Sequence, residues 1–210
     1  MATSAYISGR KRYQRPQGIL WSENAGTLSN GLYVPTGFEV GADTNETDPN
    51  LLDQFIVLTD HNRTEMNFAP QRIEQRKRTI NGRMRSYHIA DKLNMTVSWN
   101  MVPSRSYAGD PNFNTTTGKS SNFNTTNEYT SDGGAGGGEI LDWYENHQGP
   151  FWMYLAYDKH NNFSGVDEYN HLGQYNQIIQ VYFADFSYSV VKRGGNNHDL
   201  WNISVNLEEV

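Results

Sequence analysis

The 210-residue chain reads as a mainly β protein: an antiparallel β-sandwich or barrel-like fold with one flanking α-helix and long loops. Three observations predict it. Leu93, Met95, Val97, Trp99 and Met101 alternate with Asn94, Thr96, Ser98 and Asn100, the period of a half-buried strand. Aromatic residues reach 13% beside 19 glycines and abundant asparagine, a mixture of strand formers and turn formers. One stretch, Glu139–His147, carries a helical period, with Ile140, Trp143, Tyr144 and His147 on one face.

Taken in order, residues 1–20 form a polar N-terminal arm that carries Arg10, Lys11, Arg12, Arg15 and Pro16. Residues 42–50 are an acidic, turn-rich loop, and Gln54–Thr59 is a short buried strand. Residues 71–85 hold six Lys/Arg and the turn pair Asn81-Gly82, which gives a solvated basic hairpin or loop feeding the alternating strand. That strand ends at Pro103. Residues 104–138 have no core-forming period and contain two copies of Asn-Phe-Asn-Thr-Thr, at 112–116 and 122–126. The glycines at 133–138 read as a flexible hinge or loop before the helix. Glu139 and Asp142 suit the positive end of the helix dipole, and Gly149-Pro150 stops it. Phe151–Tyr157 is an apolar strand. Ile178–Val191 and Leu200–Leu207 pair as a hairpin through residues 192–198, with Trp201, Ile203, Val205 and Leu207 on one face. The whole chain is expected to be a single domain.

Composition removes several classes of chemistry. With no cysteine there is no thiol nucleophile, Cys-ligated zinc or disulfide scaffold. No apolar run is long enough to span a bilayer, and the first residues lack the apolar core of a signal peptide. Gly118-Lys119-Ser120 copies the tail of a phosphate-binding loop, but Phe113 stands where that loop needs glycine. The six histidines show no metal-ligand spacing, and Asp142 and Glu145 read as the wet face of a helix. No catalytic residue, metal or cofactor is expected. The 71–85 stretch lacks interleaved aromatics to stack bases, which disfavours nucleic-acid contact there. Charge is unevenly divided: residues 1–105 carry net +3 and residues 106–210 net −9.

Three segments carry a resemblance. Arg83–Arg105, Gly136–Asp158 and Val181–Val210 resemble small virion structural proteins of tailed bacteriophages, of the tail-tube and distal-tail type. That resemblance implies a β-sandwich flanked by a helix, no enzymatic activity and no cofactor. It implies self-assembly into a ring or tube, expected to be hexameric, as tail tube, tube end or baseplate adaptor. Neighbouring tail proteins would be partners, and DNA only cargo passing through the channel. The protein would be made in the host cytoplasm and reside in the virion, without membrane insertion. The alternative is a carbohydrate-binding β-sandwich of a phage fibre or receptor-binding module, whose Trp and Tyr would stack on sugars.

Candidate functional residues follow from these readings. Phe113 and Phe123 are the large apolar groups of a repeat that gains stability by pairing with another chain, and Arg10, Lys11 and Arg12 belong to an arm that docks on a neighbouring subunit. Asp158, Asp167, Glu168, Asp185 and Asp199 are candidates for an acidic face turned to the channel, where negative charge keeps a polyanion from sticking.

Overall fold

The computed structural model describes residues 18–29, 32–34, 55–105, 129–132, 134–156, 175, 177–193 and 198–210. Its strands are β1 (Ile19–Ser22), β2 (Thr27–Ser29), β3 (Leu32–Val34), β4 (Phe55–Val57), β5 (Asn67–Arg78), β6 (Met84–Pro103), β7 (Phe151–Leu155), β8 (Gln177–Arg193) and β9 (Asp199–Glu209). Among the described residues one helix, α1 (Gly137–Asn146), lies between β6 and β7. Seven strands form one sheet in the order β4-β1-β7-β8-β9-β6-β5, with every neighbouring pair antiparallel. β2 and β3 make a separate two-stranded ribbon.

The mainly β, antiparallel expectation with a flanking helix agrees with this architecture. The layering differs from two separate sheets, because a single sheet folds over on itself. Ile19 and Trp21 of β1, Ile56 of β4 and Phe151 and Met153 of β7 share one apolar core with Val97 and Trp99 of β6 and Ile203, Val205 and Leu207 of β9. α1 closes this core with Ile140 and Trp143, both buried. Trp143 meets Phe151 edge-on at 6.1 Å and Trp21 at 6.5 Å. The other two residues of the helical face sit at its rim: Tyr144 stacks on Phe186 at 4.4 Å, and His147 is half-buried against Trp143. Among the described residues β4 and β5 do not pair, so the sheet is folded over without closing into a barrel.

β1 removes residues 18–20 from the polar arm expected over residues 1–20, since Gly18, Ile19 and Leu20 are buried. β1 is covered on both faces. Ile19 and Trp21 enter the main core, while Leu20 joins a second cluster with Phe55, Val57, Tyr154 and Tyr175. A strand buried on both sides needs no alternation, and the run Ile-Leu-Trp shows none.

The glycine segment is also no hinge in its described part. Asp132, buried, accepts from Thr59 Oγ1 at 2.5 Å, from the Asp60 amide at 2.6 Å and from the Gly134 amide at 3.0 Å. The Ala135 amide then donates to the Val57 carbonyl at 2.8 Å, which lays the segment along the outer edge of β4. Gly134 and Gly136 are required by close approach: a Cβ would stand 2.5 Å from Thr59 Cα in the first case and 2.5 Å from the Pro103 carbonyl oxygen in the second. At the start of α1 the Glu139 carboxylate accepts from the Gly136 amide at 2.6 Å, and the Gly138 amide donates to the Ser104 carbonyl at 2.7 Å.

Candidate assembly surface

The most exposed regular structure is the hairpin of β5 with the first half of β6. Its ladder runs from Asn67↔Thr96 to Arg78↔Met84, with one bulge after Ile73. The Asn81-Gly82 signal is its turn: Gly82 adopts φ +78°, where glycine is favoured, and the Thr79 amide donates to the Arg83 carbonyl at 2.9 Å. The basic stretch is thus strand on both sides of the turn. From Arg72 to Ile89 only Glu74 and Thr79 are even half-buried, so both faces of this ribbon meet solvent.

The two faces differ. On one, Glu74 is bound by Arg76 and by the Ser86 hydroxyl, and Asp91 by Arg72 and His88, each at 3.1 Å. The Ser86 hydrogen bond, then Arg76, holds the Glu74 carboxyl below its ordinary range, and His88, then Arg72, does the same for Asp91. The other face presents exposed Ile73 and Tyr87. Towards the turn, none of Lys77, Arg78, Arg83 and Arg85 is ion-paired with a described residue, and Ile80 at the tip is fully exposed.

The two edges of the sheet differ as well. β4 is short and covered by Ala135, whereas the outer edge of the twelve-residue β5 is open among the described residues. Pro70 lies on it. The amide of its partner Leu93 points away from β5, to Glu209 at 2.8 Å, so Pro70 occupies a non-hydrogen-bonded site and its missing N–H is on the open edge. Proline and basic charge blunt such an edge against indiscriminate pairing.

At the far end of α1 lies a cleft of about 600 Å³, lined by Tyr144, Glu145, His147, Pro150, Tyr182 and Phe183 among others. One described carboxylate lines it and two more bind lining residues. Glu145 lines the wall, Glu23 accepts from His147 Nε2 at 3.1 Å, and Glu208 accepts from the Tyr182 hydroxyl at 3.1 Å. The Glu208 hydrogen bond and charge push the Tyr182 phenol upwards. Lys92, whose ammonium reaches the Val210 carbonyl, stands at its margin.

The middle of the solvent face of β6, β9 and β8 is neutral, and alternation puts Lys92 and Glu208 beyond it on the same face. Ser98, Asn100, Asn202, Ser204, Ser187 and Ser189 line a shallow groove of about 330 Å³. Asp185, exposed, pairs with Asn206 at one end of this face. Alternation along β9 puts Asp199 on the opposite face, at the far end of the strand and half-buried. Asp185 and Asp199 are therefore not brought together. Arg10, Lys11, Arg12, Phe113, Phe123, Asp158, Asp167 and Glu168 lie outside the described residues.

Among the described residues no three His, Asp or Glu side chains gather as a metal site, and no helix is long and apolar enough to cross a membrane. No protein-family model and no curated protein matches the chain. Among solved structures it is similar to the cap that terminates the tube of an anti-feeding prophage, at 11% identity over 100% of this chain and 95% of that one, with a TM-score of 0.29.

Proposed function

We propose that the chain is a non-enzymatic structural protein that self-associates into a ring or tube of a phage tail, as tube, tube end or adaptor. One observation carries the reading: the β5–β6 ribbon stands clear of the core with both faces in solvent. A two-stranded ribbon is marginal in water by itself, so a ribbon of this length gains its stability from a partner. The partner is a further copy of the chain, whose acidic second half complements the basic ribbon. Six subunits and a central passage for DNA complete the proposal. The serine and asparagine groove, with Asp185 at one end of its face, offers a passing polyanion a neutral polar surface. Residence in the virion, after synthesis in the host cytoplasm, belongs to the same proposal.

Electron microscopy of the purified protein over a concentration series tests it. Rings or tubes are expected. Monomers at every concentration would overturn it.

A further inference from the structure

We infer that the tip of the β5–β6 hairpin docks in the cleft beside α1 of a second copy of this chain. The inference rests on the self-association reading and names the two surfaces that meet.

The tip combines two features that are costly to leave unpartnered. Four cations, Lys77, Arg78, Arg83 and Arg85, crowd one turn without a described carboxylate to neutralise them. Between them Ile80 exposes its whole side chain to water. The cleft offers the reciprocal pair. Its floor and walls hold aromatic surface from Tyr144, Tyr182 and Phe183, of which Tyr144 and Tyr182 are about 40% exposed. Glu145 lines it, Glu23 and Glu208 bind its His147 and Tyr182, and Lys92 reaches Val210 at its margin. An isoleucine entering against this aromatic surface is desolvated while the guanidinium and ammonium groups of the tip meet the carboxylates.

Other ways of using the ribbon fit less well. Pairing β5 in parallel register with β5 of another copy sets Arg72, Arg76, Lys77 and Arg78 of each strand against their own kind, and like charges opposite one another destabilise a ladder. Pairing β5 with β4 of a neighbour is blocked by the Ala135 segment on that edge. A nucleic acid could meet the cations, but the chain carries net −6, and nothing on a polyanion matches the acidic rim of the cleft.

Tip and cleft are different patches of one molecule, so the contact is heterologous. It propagates head to tail and closes into a ring or advances as a helix.

A charge-reversal exchange tests the contact. Arg83→Glu with Arg85→Glu reverses the tip; Glu145→Arg with Glu208→Arg reverses the cleft. Each double variant alone is expected to need at least about tenfold higher concentration to assemble, and an equimolar mixture of the two is expected to restore assembly. Circular dichroism spectra like that of the wild type show that both remain folded. As a second readout, benzoylphenylalanine at position 80 is expected to crosslink, on illumination, to residues 144–150 or to Tyr182 of an isotopically distinct copy. If the wild type assembles but the variants assemble equally well, or the crosslinks fall elsewhere, the docking is wrong while self-association stands. Crosslinks to added duplex DNA in place of protein overturn it in favour of a nucleic-acid arm. A wild type that stays monomeric overturns both.

Discussion

The indole N–H of Trp99 donates to the carbonyl oxygen of Thr59 at 2.7 Å, with both residues fully buried. Trp99 belongs to β6, next to one edge of the sheet, and Thr59 follows β4 at the other edge. With the Thr64 amide donating to the Ser98 carbonyl at 2.8 Å and the Asn100 amide to the Asn62 carbonyl at 3.1 Å, this hydrogen bond pins the folded-over sheet where its ladder does not close. Trp99→Phe keeps a ring in the core and leaves the Thr59 carbonyl without its indole donor, so a loss of about 1–3 kcal/mol is expected in chemical denaturation. An unchanged midpoint would show that the fold-over is held elsewhere.

Trp143 is the main anchor of α1, lying between Trp21, Phe151 and His147. Trp143→Ala is expected to cost about 3–5 kcal/mol, the range for emptying a large aromatic site. A variant that melts like the wild type would make the helix peripheral.

Two glycines form a matched pair for mutation. Gly134→Ala drives a methyl into the Thr59 backbone at 2.5 Å, whereas at Gly149 a Cβ meets nothing within 4 Å. The first is expected to destabilise by about 1–3 kcal/mol and the second to lie near neutral. Thermal melts of the two side by side decide it; equal melts would remove the close-approach argument.

The hairpin should loosen in acid. Glu74 and Asp91 have carboxyls lowered from their ordinary values of 4.5 and 3.8. The folded ribbon therefore binds those protons less readily than the unfolded one. Their contribution is fully present above the ordinary values and is lost as pH falls through the lowered ones. Amide exchange in residues 72–86 of the unassembled protein is expected to accelerate, relative to β8–β9, between about pH 5 and pH 3. Glu74→Gln should flatten part of that dependence, and a ribbon whose exchange tracks β8–β9 throughout would contradict the assignment.

Much of this architecture was readable where one face of an element is wet. Leu93–Trp99 and Trp201–Leu207 alternate because β6 and β9 bury one side each, but a bulge after Trp99 leaves Met101 exposed at φ +55° and puts Val102 in the core. The helical face was legible through Ile140 and Trp143 for the same reason. β1 was not, because its two faces are both covered and a uniformly apolar run carries no period. The first half of β6, Met84–Ile89, escaped for the opposite cause: both faces are solvated and nothing constrains the pattern. Gly134 and Gly136 composed like a hinge, since the backbones they approach, Thr59 and Pro103, are distant in sequence. Of the tip, the turn pair and the charges could be found beforehand. The cleft could not, because it joins the end of α1 to β8 and to Glu23 across the whole chain.

The position of β1 sets an order of events as the chain folds. The β5–β6 and β8–β9 hairpins join neighbouring segments and can form early. β1 instead slots between β4 and β7, and the Tyr154 hydroxyl beside it reaches the Asn24 carbonyl across 130 positions of sequence. Such a strand must wait until most of the polypeptide is available. Until then the site between β4 and β7 is unfilled, with Phe55, Ile56, Phe151 and Met153 lacking their cover. The interval before β1 arrives is when chains are most prone to misassociate, and slow, low-concentration refolding should favour recovery.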